Sequence, residues 1–129
     1  MMTKAEFIQV SKANGIDVSL MEDELKNFDQ IIETALDVQA AMPGIGFISI
    51  RQRLNCFMAV CRHLDVRIEE GGLTMPEVSI ILGVLKLTDR RFGKAIAAFE
   101  MYADRYGARE RAEMPRTARS YLAVVKRNF

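Results

Sequence analysis

Four helix-start signatures constrain the fold of this chain more than any other feature of its sequence. In a capping box, a Ser or Thr is followed three residues later by Glu or Gln, and the two side chains satisfy backbone N–H groups that the first helical turn leaves unpaired. The pattern occurs at Thr3/Glu6, Ser19/Glu22, Ser49/Gln52 and Thr74/Glu77. Each match precedes apolar residues at helical spacing, and no alternating segment of convincing length competes. The sequence therefore predicts an all-α fold.

The apolar periodicity predicts five or six helices. Their expected ranges are about 4–13, 20–42, 50–65, 75–83, 89–106 and 115–129. The second is the longest, and we expect it to serve as the scaffold. The third carries apolar residues on several sides, which predicts a buried helix. Because no linker or repeat divides the chain, we expect one compact domain over 1–129, organised around the second and third helices.

Length and composition place the chain among ordinary globular proteins. Its 129 residues match the commonest domain size, and 50% of them are hydrophobic while 27% are charged. No apolar run approaches the roughly 18 residues that cross a bilayer. The first residues lack the continuous apolar stretch of a signal peptide. We therefore expect a cytoplasmic protein that makes no membrane contact.

The residues most suited to metal binding or catalysis lie close together in sequence but cannot converge. Cys56 and Cys61 point roughly 140° apart on one helix, and His63 stands about two turns beyond Cys56. A zinc ion needs all its ligand atoms within about 2.3 Å. The same angles argue against a Cys–His nucleophile pair. We therefore expect no metal, no cofactor and no small-molecule substrate, and we predict that the protein is not an enzyme.

Charge is distributed unevenly along the chain. Residues 1–48 carry eight acids and three bases, whereas the residues from Lys86 onward carry eleven bases and five acids. Such a division has two interpretations: a partner binds one face electrostatically, or the two ends of the chain attract each other. Because no catalytic motif stands out, the leading prediction is a small helical regulatory protein that acts through protein–protein contacts, including contacts with its own copies.

An alternative is a nucleic-acid-binding regulator. Residues 74–96 partly fit a helix-turn-helix, with a turn around Gly83 to Leu87 and a second helix from about Asp89. Several cations lie at the start of that second helix, where the macrodipole disfavours them. More cations cluster within one arc of the last helix. The candidate contacts for a nucleic acid or an acidic partner are Arg90, Arg91, Lys94, Arg116, Arg119, Lys126 and Arg127.

Overall fold

The computed structural model describes residues 2–42, 49–102 and 117–129, with single positions at 105, 109, 112, 114 and 115. Within these ranges the regular structure is helical and no strand occurs, which confirms the all-α prediction. The α-helices are α1 (Lys4–Ala13), α2 (Glu22–Leu25), α3 (Phe28–Ala41), α4 (Ile50–Glu69), α5 (Met75–Thr88), α6 (Arg90–Tyr102) and α7 (Ala118–Asn128). Six of them have ten or more residues, in agreement with the expected five or six. None of the helices described is both long and apolar enough to cross a membrane.

Three of the four predicted helix starts are real N-caps. Ser49 and Thr74 form complete capping boxes at the first turns of α4 and α5. At α4, for example, the Ser49 hydroxyl accepts from the Gln52 N–H at 3.1 Å, and the Ser49 N–H donates to the Gln52 side chain at 3.2 Å. Thr3 accepts from the Glu6 N–H at 3.2 Å, while its hydroxyl donates to the Glu6 carboxylate. Local sequence therefore determines where α1, α4 and α5 begin.

The predicted box at Ser19/Glu22 is wrong. Asp17 caps this segment instead, and its carboxylate accepts from both the N–H and the hydroxyl of Ser19. The turn that follows, Val18–Met21, is a 3₁₀ helix rather than an α-helix. Asp is as good a helix cap as Ser, because its carboxylate also accepts from an unpaired N–H. Here Asp17 takes that role, and Ser19 is a donor rather than the cap.

The long second helix predicted over about 20–42 is also wrong, because the chain breaks between α2 and α3. Asn27 leaves the helical region with φ −104° and ψ 25°, and its N–H bonds to the Glu24 carbonyl three residues back. The apolar spacing gives no sign of this break. Leu25 before it and Phe28 after it are both buried and three residues apart, as in an unbroken helix.

The core is centred on α4 and α5. As predicted, α4 is buried on several sides, and both α4 and α5 contact α3, α6 and α7. In α5 every residue from Ile80 to Leu85 is buried, so this helix has no open face over that stretch. Buried residues from all seven helices form one hydrophobic cluster. The scaffold is therefore α4 with α5, rather than the second predicted helix with the third.

Gly83 does not form the turn predicted for a helix-turn-helix. It lies inside α5, which continues to Thr88, and α6 begins at Arg90 after a single intervening residue. A Cβ at position 83 would lie 2.2 Å from the ring of Phe129. The glycine therefore admits an aromatic ring that arrives from the far end of the chain, a role that no local pattern reveals.

Candidate interaction surfaces

The exposed face of α6 carries four residues at intervals of four, three and four. Arg90, Lys94, Ala97 and Met101 are all exposed, and Met101 keeps 67% of its surface in solvent. We call these four residues the basic stripe. The opposite face of α6 packs into the core, where Phe92 and Phe99 contact Phe57 of α4. Two of the seven predicted cation contacts therefore lie one turn apart on an open helix face.

Arg91 is held by the fold instead. Asp89 is the N-cap of α6: its carboxylate accepts from the Arg91 N–H at 2.8 Å and from the Arg91 guanidinium at 3.0 Å. The same carboxylate accepts from the Gln39 side chain of α3 at 2.7 Å. Burial alone would raise the pKa of Asp89, but these hydrogen bonds outweigh it and hold the pKa below its ordinary value. Arg91 therefore neutralises a buried acid.

The predicted contacts on the last helix are less uniform. Arg119 and Arg127 are exposed on α7. Lys126 forms an ion pair with Glu100 at 2.7 Å, which joins α7 to α6. Arg116 lies outside the described residues. The structure therefore places Lys126 against α6, whereas Arg90 and Lys94 stay on a separate exposed stripe.

An acidic counterpart, none of whose residues is among the predicted contacts, lies on α3. Asp29, Glu33, Leu36 and Ala40 repeat the same four-three-four spacing and are all exposed. We call these residues the acidic stripe. The helix contains no Lys or Arg. The acidic excess of residues 1–48 was the available signal, but its concentration on one face appears only once α3 is separated from α2.

A shallow groove of about 310 Å³ borders the acidic stripe. Glu33 and Asp37 of α3 and Glu77 of α5 contribute three carboxylates to its lining, and Arg67 of α4 contributes one cation. The acidic character of this side of the molecule therefore extends beyond α3 to the first turn of α5.

A second polar cluster fixes α7 against α4. The Asp65 carboxylate accepts from the hydroxyls of Tyr121, at 2.7 Å, and Thr117. Burial, together with the hydrogen bond to Asp65, raises the pKa of the Tyr121 hydroxyl. Because both hydroxyls are satisfied by one carboxylate between two helices, we assign this cluster to stability.

Both thiols lie inside the core, on α4. Cys56 and Cys61 are free and buried. Burial raises the pKa of Cys56 to about 11, although Arg91 opposes the change, and it also raises the pKa of Cys61. Protonated thiols are weak nucleophiles and weak metal ligands. Across the described part of the chain, no three His, Cys, Asp or Glu side chains gather as a metal site would require.

Comparison of the chain with models of known protein families, with curated proteins and with solved structures finds no match.

Proposed function

We propose that the chain is a non-enzymatic binding protein that acts through protein–protein contacts, and that the acidic stripe of α3, together with the exposed Asp37 beside it, is a binding surface. The observation that carries this proposal is the alignment of Asp29, Glu33 and Asp37 at successive four-residue intervals on an exposed helix. Like charges at this spacing destabilise a helix by about 0.2–0.5 kcal/mol per pair. No cation among the described residues forms an ion pair with these three acids, so no such pair offsets the repulsion between them.

An apolar side chain among these acids supports the same conclusion. Leu36 is 45% exposed although the buried face of α3 already supplies four apolar residues to the core. Interfaces commonly combine a small apolar centre with a polar rim that orients the partner. The acidic stripe has this composition on a small scale, and it suits a partner with a basic helical surface.

A retention experiment in extracts of the source cells tests this function. The double variant Glu33→Gln/Asp37→Asn removes two charges from the binding surface, and Glu69→Gln/Glu70→Gln removes two from an exposed helix end. We expect a protein to be retained by the wild type and by the control, and to be lost from the α3 variant. Equal retention by all three proteins would contradict the proposal, and so would a lack of retention by any of them together with a chain that stays strictly monomeric.

Nucleic-acid binding is the second candidate, and the exposure of Arg90 and Lys94 at the start of α6 favours it. The connection between α5 and α6 is one residue long, which is shorter than the usual turn of a helix-turn-helix. Contacts with the phosphate backbone therefore fit this geometry better than recognition of bases in the major groove. Each phosphate contact should contribute about 0.9 to the slope of log affinity against log salt. Duplex DNA and RNA titrations should show this slope, reduced in Arg90→Gln/Lys94→Gln and unchanged in Lys4→Gln/Lys12→Gln. Absence of binding at low salt would exclude this candidate.

A further inference from the structure

We propose that the acidic stripe of one molecule pairs with the basic stripe of a second copy of this chain, as a short parallel coiled coil. This inference rests on the proposed function and names its partner. Each stripe is an exposed face of a helix whose opposite face is already committed to the core. Among the described residues, the chain thus presents two exposed helix surfaces of opposite charge that no other element covers.

The spacing of both stripes is that of a coiled-coil seam. Intervals of four, three and four residues keep side chains on the line along which two helices supercoil. The acidic stripe has this spacing from Asp29 to Ala40, and the basic stripe has it from Arg90 to Met101. The two seams are therefore equal in length, about 17 Å each.

Only one alignment matches both charge and size. In a parallel pair, Asp29 faces Arg90 and Glu33 faces Lys94. The next two layers place Leu36 against Ala97 and Ala40 against Met101, so that a large side chain meets a small one each time. An antiparallel pair would set both carboxylates against Ala97 and Met101, and both cations against the apolar half of the other stripe. Charge and volume therefore select the parallel register.

A single molecule cannot form this pair. Gln39, near the end of α3, donates a hydrogen bond to Asp89, immediately before α6. In the parallel register the start of α6 must instead lie beside Asp29, ten residues and about 15 Å earlier along α3. The partner stripe must therefore come from another copy.

The local ion pairs leave the basic stripe cationic. Glu100 is the single acidic residue in the sequence of α6, and Lys126 already neutralises it. Arg90 and Lys94 form no ion pair within the described residues. The carboxylate of Asp89, next to Arg90, is bound by Arg91, so an incoming carboxylate meets two cations that no acid of the described residues pairs with.

Since every copy carries both stripes, association yields either reciprocal dimers or head-to-tail chains. Four layers make a small interface, so the association should be weak, concentration-dependent and sensitive to salt. Light scattering or sedimentation of the purified full chain should give a mean mass above one chain at low salt and the mass of one chain at high salt.

Neutral variants of each stripe test the pairing. We expect Asp29→Asn/Glu33→Gln to be monomeric, because it has lost its acids, and Arg90→Gln/Lys94→Gln to be monomeric, because it has lost its cations. A mixture of the two retains one intact acidic stripe and one intact basic stripe, so it should form a 1:1 complex that grows no further. Glu69→Gln/Glu70→Gln and Lys4→Gln/Lys12→Gln should associate like the wild type.

Cross-linking tests the register. A Leu36→Cys molecule mixed with an Ala97→Cys molecule should form a disulfide under mild oxidation, whereas Ala40→Cys mixed with Ala97→Cys, which keeps every charge but is one helical turn out of register, should form much less. Equal cross-linking of both mixtures would overturn the parallel register.

A wild type that stays monomeric at low salt, or a mixture of neutral variants that forms no complex, would overturn the pairing. The pairing can fail while the wild type still retains a cellular protein that Glu33→Gln/Asp37→Asn does not. In that case the proposed function stands with a different partner. If both experiments fail, the function fails as well.

Discussion

At the scale of single residues, the contact between Gly83 and Phe129 shows how one small position holds two distant segments together. The Phe129 ring lies over Gly83 and also packs against Phe7, with ring centres 5.9 Å apart. Lys86 donates to the Phe129 carbonyl oxygen at 2.8 Å. Phe129, the residue that follows α7, thus joins α5 to α1.

We predict that Gly83→Ala destabilises the protein by about 1–2 kcal/mol in urea unfolding, because the new methyl group displaces the ring. Alanine is otherwise better than glycine in a helix by about 1 kcal/mol. The same substitution should therefore stabilise a Phe129→Ala background. Gly93→Ala, where a Cβ meets nothing within 4 Å, should be stabilising in the wild type. A destabilising effect that persists without Phe129 would refute this explanation.

The lowered pKa of Asp89 predicts that the stability of the protein depends on pH. Its pKa is lower in the folded protein than in the unfolded chain, so its contribution to stability is complete above about pH 4 and is lost as the pH falls through the lowered value. Asn can still cap a helix but lacks the charge that pairs with Arg91. Asp89→Asn should therefore cost about 1–3 kcal/mol at neutral pH, and its difference from the wild type should shrink below pH 4. A difference that is constant with pH would exclude the ionised carboxylate as its source.

At the scale of elements, α6 places Arg90 where it opposes the stability of its own helix. A cation in the first turn faces the positive end of the macrodipole and costs about 0.3–1 kcal/mol, whereas one in the last turn is favourable. Arg90→Gln should therefore raise the free energy of unfolding, and Arg127→Gln, in the last turn of α7, should leave it unchanged or lower it. The stabilised Arg90 variant should at the same time associate more weakly. If both substitutions change stability in the same direction, the macrodipole is not the cause.

The elements also show which signals a sequence carries. Ser49 and Thr74 cap α4 and α5 as expected, because a capping box involves only four consecutive residues. The start of α6 follows the same rule, with Asp89 as its cap one residue before Arg90. The break at Asn27 was missed because burial on both sides of it continues the helical spacing. The turn expected at Gly83 was wrong because its neighbour is Phe129, 46 positions away in the chain.

At the scale of the whole molecule, the ion pairs at Asp89 and Glu100 do not neutralise the acidic excess of residues 1–48. Both are formed with bases of the C-terminal half, from Arg91 and Lys126. The acids of α3 gain nothing from these pairs. The candidate surfaces could be predicted from sequence only as an excess of charge at each end, because their separation depends on which faces α3 and α6 bury.

The shared core predicts that the helices unfold together. Phe57 of α4 contacts Phe92 and Phe99 of α6, and Asp65 of α4 binds Tyr121 of α7, so loss of α4 removes support from two other helices. Chains of this size with one core usually unfold in a single transition. In urea, the loss of helical circular dichroism should coincide with the labelling of Cys56 and Cys61 by a short pulse of thiol reagent. Both cysteines are buried in α4, so their labelling reports the opening of the core itself. Helix loss that precedes labelling would show that peripheral helices detach first, and the expected single domain would then consist of more than one cooperative unit.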